Sequence, residues 1–261
     1  MFTIGADPEL FLKDNNGKFI SGVGIIPGTK EEPFPIDQQG HAIQLDNVAA
    51  EFCIPPAKNK YDFSRSISET LIHLEKRARE VNLKLAEKCS AANFDEDQLQ
   101  TWQAVTFGCD PDYNAWTKKQ NPKPSCDNPN LRSAGGHVHV GVTYDDGTPI
   151  PAHEIARAMD LFLGVPSLDR DKDTLRRKLY GKAGAFRPKP YGAEYRTLGN
   201  WWIWDRNTVL WVYEQTEKAV KFLQAKQTVS PRLGKYIQAA INEEDKNAKA
   251  ICLEVLANGE F

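Results

Sequence analysis

The chain has 261 residues, of which 41% are hydrophobic and 26% charged, a balance that suits a soluble globular protein able to bury a core without disulfide or metal staples. Its formal net charge of −2 gives no electrostatic case for nucleic acid or an anionic membrane surface as partner. No apolar run reaches the ~20 residues of a bilayer span, and the opening MFTIGADPELFLKD does not have the pattern of a secretory leader, so a cytoplasmic location is expected. Cys53, Cys89, Cys109, Cys126 and Cys252 form no CxxC pair, which points to reduced thiols rather than a disulfide framework or zinc site.

In chain order, Phe2 to Leu12 reads as a strand with acids near its middle, and Asn15-Asn16-Gly17 as a turn into a second extended piece at Lys18-Phe19-Ile20, together a hairpin. Residues 21–40, rich in Gly and Pro, read as loop; 41–54 read as a strand pair or one bent strand, closed by Pro55-Pro56. The apolar positions Phe63, Ile67, Leu71, Leu74, Ala78, Val81 and Leu85 recur at helical spacing and predict a helix over 62–89, capped by Asp62 or Ser64. A strand is expected over 103–109, a long loop over 110–130, a strand at HVHVGVTY after Gly135-Gly136, and a turn at Asp145-Asp146-Gly147. Helices follow over 152–163, 170–180, 207–225 and 231–257, with the strand-like AEYRTLGNWW between them. This order predicts an α+β fold, a mainly antiparallel sheet covered by helices, in a single unit spanning 1–261.

Four polar clusters interrupt what should be half-buried strands. Asp7 and Glu9 lie two apart and therefore share a strand face. Carboxylates so placed repel unless solvated or bridged by a cation, and oxygen donors suit magnesium or manganese. Glu51 sits among apolar residues before Pro55, either on an exposed strand face or as a ligand; Asp46 nearby is a turn residue or a further acid. His137 and His139 share one face in a frame of Gly135, Gly136 and Gly141, as core histidines or as groups that meet a metal, phosphate or base. Glu194 and Arg196 share a face, with Arg187 and Lys189 just before them and Arg176, Arg177 and Lys178 upstream. They form an internal salt bridge or a carboxylate beside cations that hold phosphate. Acids, imidazoles and guanidiniums together suit a nucleoside triphosphate with a divalent metal. The sequence has no GxxxxGK[ST] loop, no strand-linked GxGxxG and no GxSxG elbow.

The order of these motifs resembles the glutamine synthetase and glutamate–cysteine ligase superfamily, and within it the small phage-type COOH–NH2 ligases. The resemblance runs through Asp7-Pro8-Glu9, Glu51, Gly135 to Gly141 and Glu194-Tyr195-Arg196. It implies a glutamine synthetase/glutamate–cysteine ligase-like catalytic domain with a curved sheet and two magnesium or manganese sites. Asp7, His137 and Glu194 would hold the metal nearer the phosphates of ATP, and Glu9 and Glu51 the one nearer the reacting carboxylate. Arg196 would stabilise the transferring phosphoryl group. Arg187 and Arg177 would contact phosphates or the acid, and His139 the nucleotide or substrate. Asp7 stands where the relatives usually have Glu, and Asp46 is a candidate for a further acid.

The activity implied is amide formation between a small-molecule or peptide carboxylate and an amine through an acyl phosphate, in a chain able to form homo-oligomers. For a phage-encoded chain, the location implied is the host cytoplasm. Alternatives are a phosphotransferase related to guanidino kinases, a zinc hydrolase using His137 and His139, and a non-catalytic binding or virion-associated protein presenting Trp201, Trp202 and Trp204.

Overall fold

Side chains along a β-strand point alternately to its two faces, so a strand with apolar residues at every second position must bury one face. Strand β1 (Phe2–Leu10) buries Ile4, Ala6 and Leu10 on one side and leaves Gly5, Asp7 and Glu9 on the other. A computed structural model describes residues 2–105, 112–122, 127–259 and 261; Cys109, Cys126 and the end of the strand expected over 103–109 lie outside them. In this structure β1 is an inner member of a nine-stranded sheet. The others are β2 (Phe34–Pro35), β3 (Ala42–Asp46), β4 (Ala49–Cys53), β5 (Tyr113–Asn114), β6 (Lys119–Gln120), β7 (Gly136–Val142), β8 (Ala185–Lys189) and β9 (Gly192–Tyr195). Their spatial order is β6-β5-β8-β9-β7-β1-β4-β3-β2, and the pairings among these described strands are antiparallel.

The apolar face of β1 continues through Val138, Val140 and Val142 of β7, Ala193 and Tyr195 of β9, Phe186 of β8, Ala50 and Phe52 of β4 and Ile43 of β3, all buried. Helices cover it. The helices α1 (Lys60–Glu80), α2 (Ala152–Met159), α3 (Thr174–Leu179), α4 (Arg206–Gln224), α5 (Pro231–Glu243) and α6 (Lys246–Asn258) send Phe63, Ile67, Leu74, Ile155, Met159, Val212 and Ile237 into the same core. Each large apolar side chain so buried contributes about 1.5–3 kcal/mol. The α+β class is therefore as expected. No helix among the described residues is long and apolar enough to cross a membrane.

Several boundaries differ from the sequence reading, each for a local reason. Helix α1 starts two residues before Asp62, because the Asn59 side chain accepts from the Tyr61 and Asp62 amides at 3.0 and 2.9 Å. It stops at Glu80 rather than near 89. Asn82 takes a left-handed conformation, φ 59°, which asparagine tolerates better than most residues, and Lys84–Leu85 then pairs with Leu12–Lys13. The last helix is two helices, because Glu244 is left-handed, φ 58°, and Asp245 caps a new start by accepting from Asn247 and Ala248. The loop expected over 110–130 contains the β5–β6 hairpin, whose two-residue strands are too short to show periodicity. At 102–105 the chain makes a helical turn rather than starting a strand. The expected hairpin at 12–20 and the strand pair at 42–53 both form. Trp201 and Trp202 are core residues, Trp202 stacking on Phe63 at 5.9 Å with an 8° interplanar angle, so they do not form an exposed partner surface.

One buried acid ties the helical layer to β9. Asp160, in a wide π turn after α2, accepts from Trp116 Nε1 at 2.8 Å, Tyr195 Oη at 2.8 Å and Thr197 Oγ1 at 3.4 Å. Burial outweighs these donors and pushes its pKa up to about 7. An acid with a raised folded-state pKa stabilises the fold fully below the unfolded value, and that stability is lost as pH rises through about 7. We therefore expect the stability advantage of wild type over Asp160→Asn, read from urea unfolding, to shrink by about 2 kcal/mol between pH 5.5 and 8. A pH-independent difference would show that Asp160 stays ionised throughout.

Candidate active site

The face of the sheet turned away from the helices carries the charged residues singled out in the sequence. Antiparallel register sets them side by side: Asp7 faces His137, His139 faces Glu194, and Glu194 faces Arg187. On the other side of β1, Glu9 faces Glu51, and Glu51 faces Gln44. Two groups result. Asp7, His137 and Glu194 have ligand atoms within 4.8 Å of one another, and so have Glu9, Asp46 and Glu51. Residues 126 to 191 positions apart in sequence meet here through hydrogen bonds.

In the first group, His137 Nδ1 lies 3.4 Å from Asp7 Oδ1 and 3.7 Å from Glu194 Oε1. Glu194 is fully buried and meets cations from two strands. Arg187 Nη1 is 3.2 Å and Lys189 Nζ 3.0 Å from its carboxylate, and Arg196 Nη1 donates to Oε1. Burial and the Asp7 charge would raise the Glu194 pKa, but Arg196, His137 and Arg187 outweigh them and hold it at about 2. The Glu194 charge raises the pKa of Arg196 against the opposing effect of burial. Two carboxylates here face three permanent cations, so the group as a whole has positive charge left for an anion.

His139, which the resemblance implies as a nucleotide or substrate contact, stands beside Asp7. Its Nε2 lies 2.9 Å from Asp7 Oδ2 and its Nδ1 is hydrogen-bonded to Tyr191 Oη. Burial disfavours its charged form, but Asp7 outweighs this and raises the pKa. For Asp7, burial is outweighed by the two facing imidazoles, that of His139 first, and its pKa is lowered. Arg177 is not brought into this group: its guanidinium donates to Asp171 at 2.9 Å in a buried pair. Its neighbour Arg176 does reach the site, by holding the backbone carbonyls of Arg196 and Thr197 at 3.0 Å.

The second group is the more acidic. Glu9 Oε2 accepts from the Gly135 amide at 2.6 Å, and Glu51 Oε2 accepts from Gln44 Nε2 at 3.0 Å. Burial raises the Glu51 pKa, and the charges of Asp7, Asp46 and Glu9 raise it further. Burial and Glu9 raise that of Asp46, which Lys30 opposes from 3.0 Å. Buried carboxylates that raise one another's pKa are stabilised as anions by a bound dication. Asp7 Oδ1 is buried without a hydrogen-bond partner. That oxygen, beside His137 and Glu194, offers a cation oxygen and imidazole donors within a cation-rich surrounding, and the acidic second group fits a divalent cation such as magnesium or manganese.

The glycines around the histidines serve the frame itself. A Cβ on Gly135 would lie 2.1 Å from His137 Nε2, and one on Gly136 would lie 2.2 Å from the Gly199 carbonyl oxygen. Asn200, buried, fixes the neighbouring end of β1 by donating to the Glu9 carbonyl at 2.8 Å and the Cys89 carbonyl at 3.0 Å. Lys30, Gln44 and Asn200 were not picked out in the sequence and belong to none of its short motifs; Tyr191 lies inside the Arg187–Arg196 cluster without a role assigned there, and Arg176 stood in the basic run before it.

Buried acids, imidazoles and guanidiniums with shifted pKa values mark this sheet face as the candidate active site. Residues 130–247 match the family described as Phage phiEco32-like COOH.NH2 ligase-type 2. This is the carboxylate–amine ligase family to which the motif order pointed, and ligases of this name form C–N bonds. The matched segment contains β7, β8 and β9 with His137, Arg187, Glu194 and Arg196; the acids of β1, β3 and β4 precede it and join it in space. None of the curated proteins compared with the chain matches it.

The glycine frame yields a test. Gly136→Ala has a backbone carbonyl in its way and is expected to cost about 2 kcal/mol or more in unfolding free energy. Gly5→Ala, whose Cβ meets nothing closer than 3.6 Å, is expected to cost less than 1 kcal/mol. Equal costs in urea titrations would contradict the packing described.

Proposed function

We propose that this chain is an ATP- and divalent-metal-dependent carboxylate–amine ligase that works through an acyl phosphate. The observation that carries the reading is the meeting, on one sheet face, of Asp7, His137 and Glu194 with Arg196 and Arg187, next to Glu9, Asp46 and Glu51. The match to a ligase family over residues 130–247 supports the bond formed. The partners are a small-molecule or peptide carboxylate and an amine.

Direct condensation of a carboxylate with an amine is slow, because hydroxide is a poor leaving group and the amine is protonated at neutral pH. In the proposed sequence a carboxylate oxygen attacks the γ-phosphorus of ATP and the bond to the β–γ bridging oxygen breaks, giving acyl phosphate and ADP. The amine then attacks the acyl carbon, the C–O bond to phosphate breaks, and a proton leaves the nitrogen. Bound magnesium or manganese supplies charge neutralisation between carboxylate and phosphate oxygens. Asp7, His137 and Glu194 would hold one cation, and Glu9, Glu51 and Asp46 the other. Arg196, Arg187 and Lys189 share Glu194 as counter-ion and are placed to turn donors toward phosphoryl oxygens, where negative charge spreads as the group transfers. His139, fixed between Asp7 and Tyr191, orients the Asp7 carboxylate.

Truncating Glu194 to alanine would leave three cations facing one another without their buried partner, so loss of folding would accompany loss of activity. The informative variants are Arg187→Lys and Arg196→Lys, which keep the charge balance around Glu194. Both are expected to retain the wild-type far-UV spectrum and to lower ADP release, assayed over panels of acids and amines with magnesium, by about 100-fold or more. Wild-type turnover by both would overturn the assignment. A stable N–P product instead of amide plus phosphate would make the enzyme a phosphotransferase.

A further inference from the structure

We propose that Lys30 is a tethered counter-ion of the Glu9–Asp46–Glu51 group, and that a divalent cation enters this group by displacing the Lys30 ammonium. The inference rests on reading that group as a cation site. Its Nζ lies 3.0 Å from Asp46 Oδ2, and the ligand oxygens of Asp46, Glu9 and Glu51 lie within 4.8 Å of one another. Three carboxylates against one ammonium leave the group net negative, so it still attracts a dication. An ammonium and a dication on the same carboxylate oxygens repel, however, and the two compete for Asp46.

The local structure allows the exchange to be made by one side chain. Lys30 is at the tip of a turn closed by two hydrogen bonds, from the Thr29 amide to the Glu32 carbonyl at 3.0 Å and from the Glu32 amide to Thr29 Oγ1 at 3.1 Å. The turn is anchored beside β3, where the Leu45 amide donates to the Gly28 carbonyl at 3.2 Å. Gly28 is left-handed, φ 82°, and a Cβ there would lie 2.5 Å from the Phe34 nitrogen and 2.6 Å from the Ile43 oxygen. The backbone under Lys30 is therefore held, while its side chain ends a four-carbon stem and is 34% exposed, in reach of water. The first group also has a lysine, Lys189, 3.0 Å from Glu194 and 28% exposed, but Arg187 and Arg196 stay on the same carboxylate when it moves, so no single side chain controls the charge there.

The test uses the full chain and manganese alone. Isotopic reductive methylation with mass spectrometry reads the reactivity of each lysine amine, and calorimetry reads manganese affinity. Manganese is expected to raise Lys30 labelling about threefold or more, because Lys30 loses its Asp46 partner, and to leave exposed Lys235, far from either acidic group in sequence, unchanged. Asp46→Asn is expected to raise Lys30 labelling without metal. Lys30→Met is expected to bind manganese on the order of tenfold more tightly, and Lys30→Arg to restore wild-type affinity. Manganese binding with unchanged Lys30 labelling, or a Lys30→Met protein of wild-type affinity, overturns the exchange and leaves the metal-centre reading standing. No manganese binding to either protein overturns both.

Discussion

A charged surface can be withdrawn from water only if its charges neutralise one another, and everything distinctive about this sheet follows from meeting that condition on one face while the other is apolar. Glu194 is the focus. It is fully buried and accepts from Arg187, Lys189 and Arg196, so its ionised form is held by cations on its own and adjacent strands. Removing water from such a pair costs more than most surface ion pairs return, and the arrangement persists because β7, β8 and β9 are fixed from behind by an apolar core. Asp160 illustrates the coupling: it bonds the Tyr195 hydroxyl from the helical side while the adjacent Glu194 faces the site.

The two acidic groups differ in charge in a way that fits the division of labour proposed for them. Around Asp7 and Glu194, cations are in excess, which favours a polyanion such as a triphosphate. Around Glu9, Asp46 and Glu51, carboxylates are in excess, and Lys30 moderates them through Asp46. The contrast comes from neighbouring strands: the first group lies against β8 and β9 with their basic residues, and the second against β3 and β4, which bring acids.

Much of the site was legible in the sequence because strand periodicity is local. Asp7 with Glu9, His137 with His139 and Glu194 with Arg196 each announce a shared face through spacing of two, and the motif order supplied the grouping. What spacing cannot show is a partner brought by the fold. Asn200 reaches the Glu9 carbonyl across 191 positions, and Lys30 meets Asp46 from an irregular loop. Arg177 read as a phosphate contact because it lies in a basic run, yet Asp171 claims it within a buried pair, while Arg176 turns toward the Arg196 backbone. The secondary-structure errors have two local causes. Asn82 and Glu244 adopt left-handed conformations inside segments whose apolar spacing still reads as helix, and the β5–β6 strands are too short to carry a period.

Asp7 and Glu9 are on one strand, two residues apart, and each heads a different group. The Cα atoms of Asp7 and Glu9 are therefore separated by one pleat repeat, about 6.7 Å, a length set by covalent geometry rather than by loop conformation. The sheet face thus carries its own ruler. Loops around the sheet are free to vary, while the spacing between the leading acids of the two groups is built into the peptide backbone.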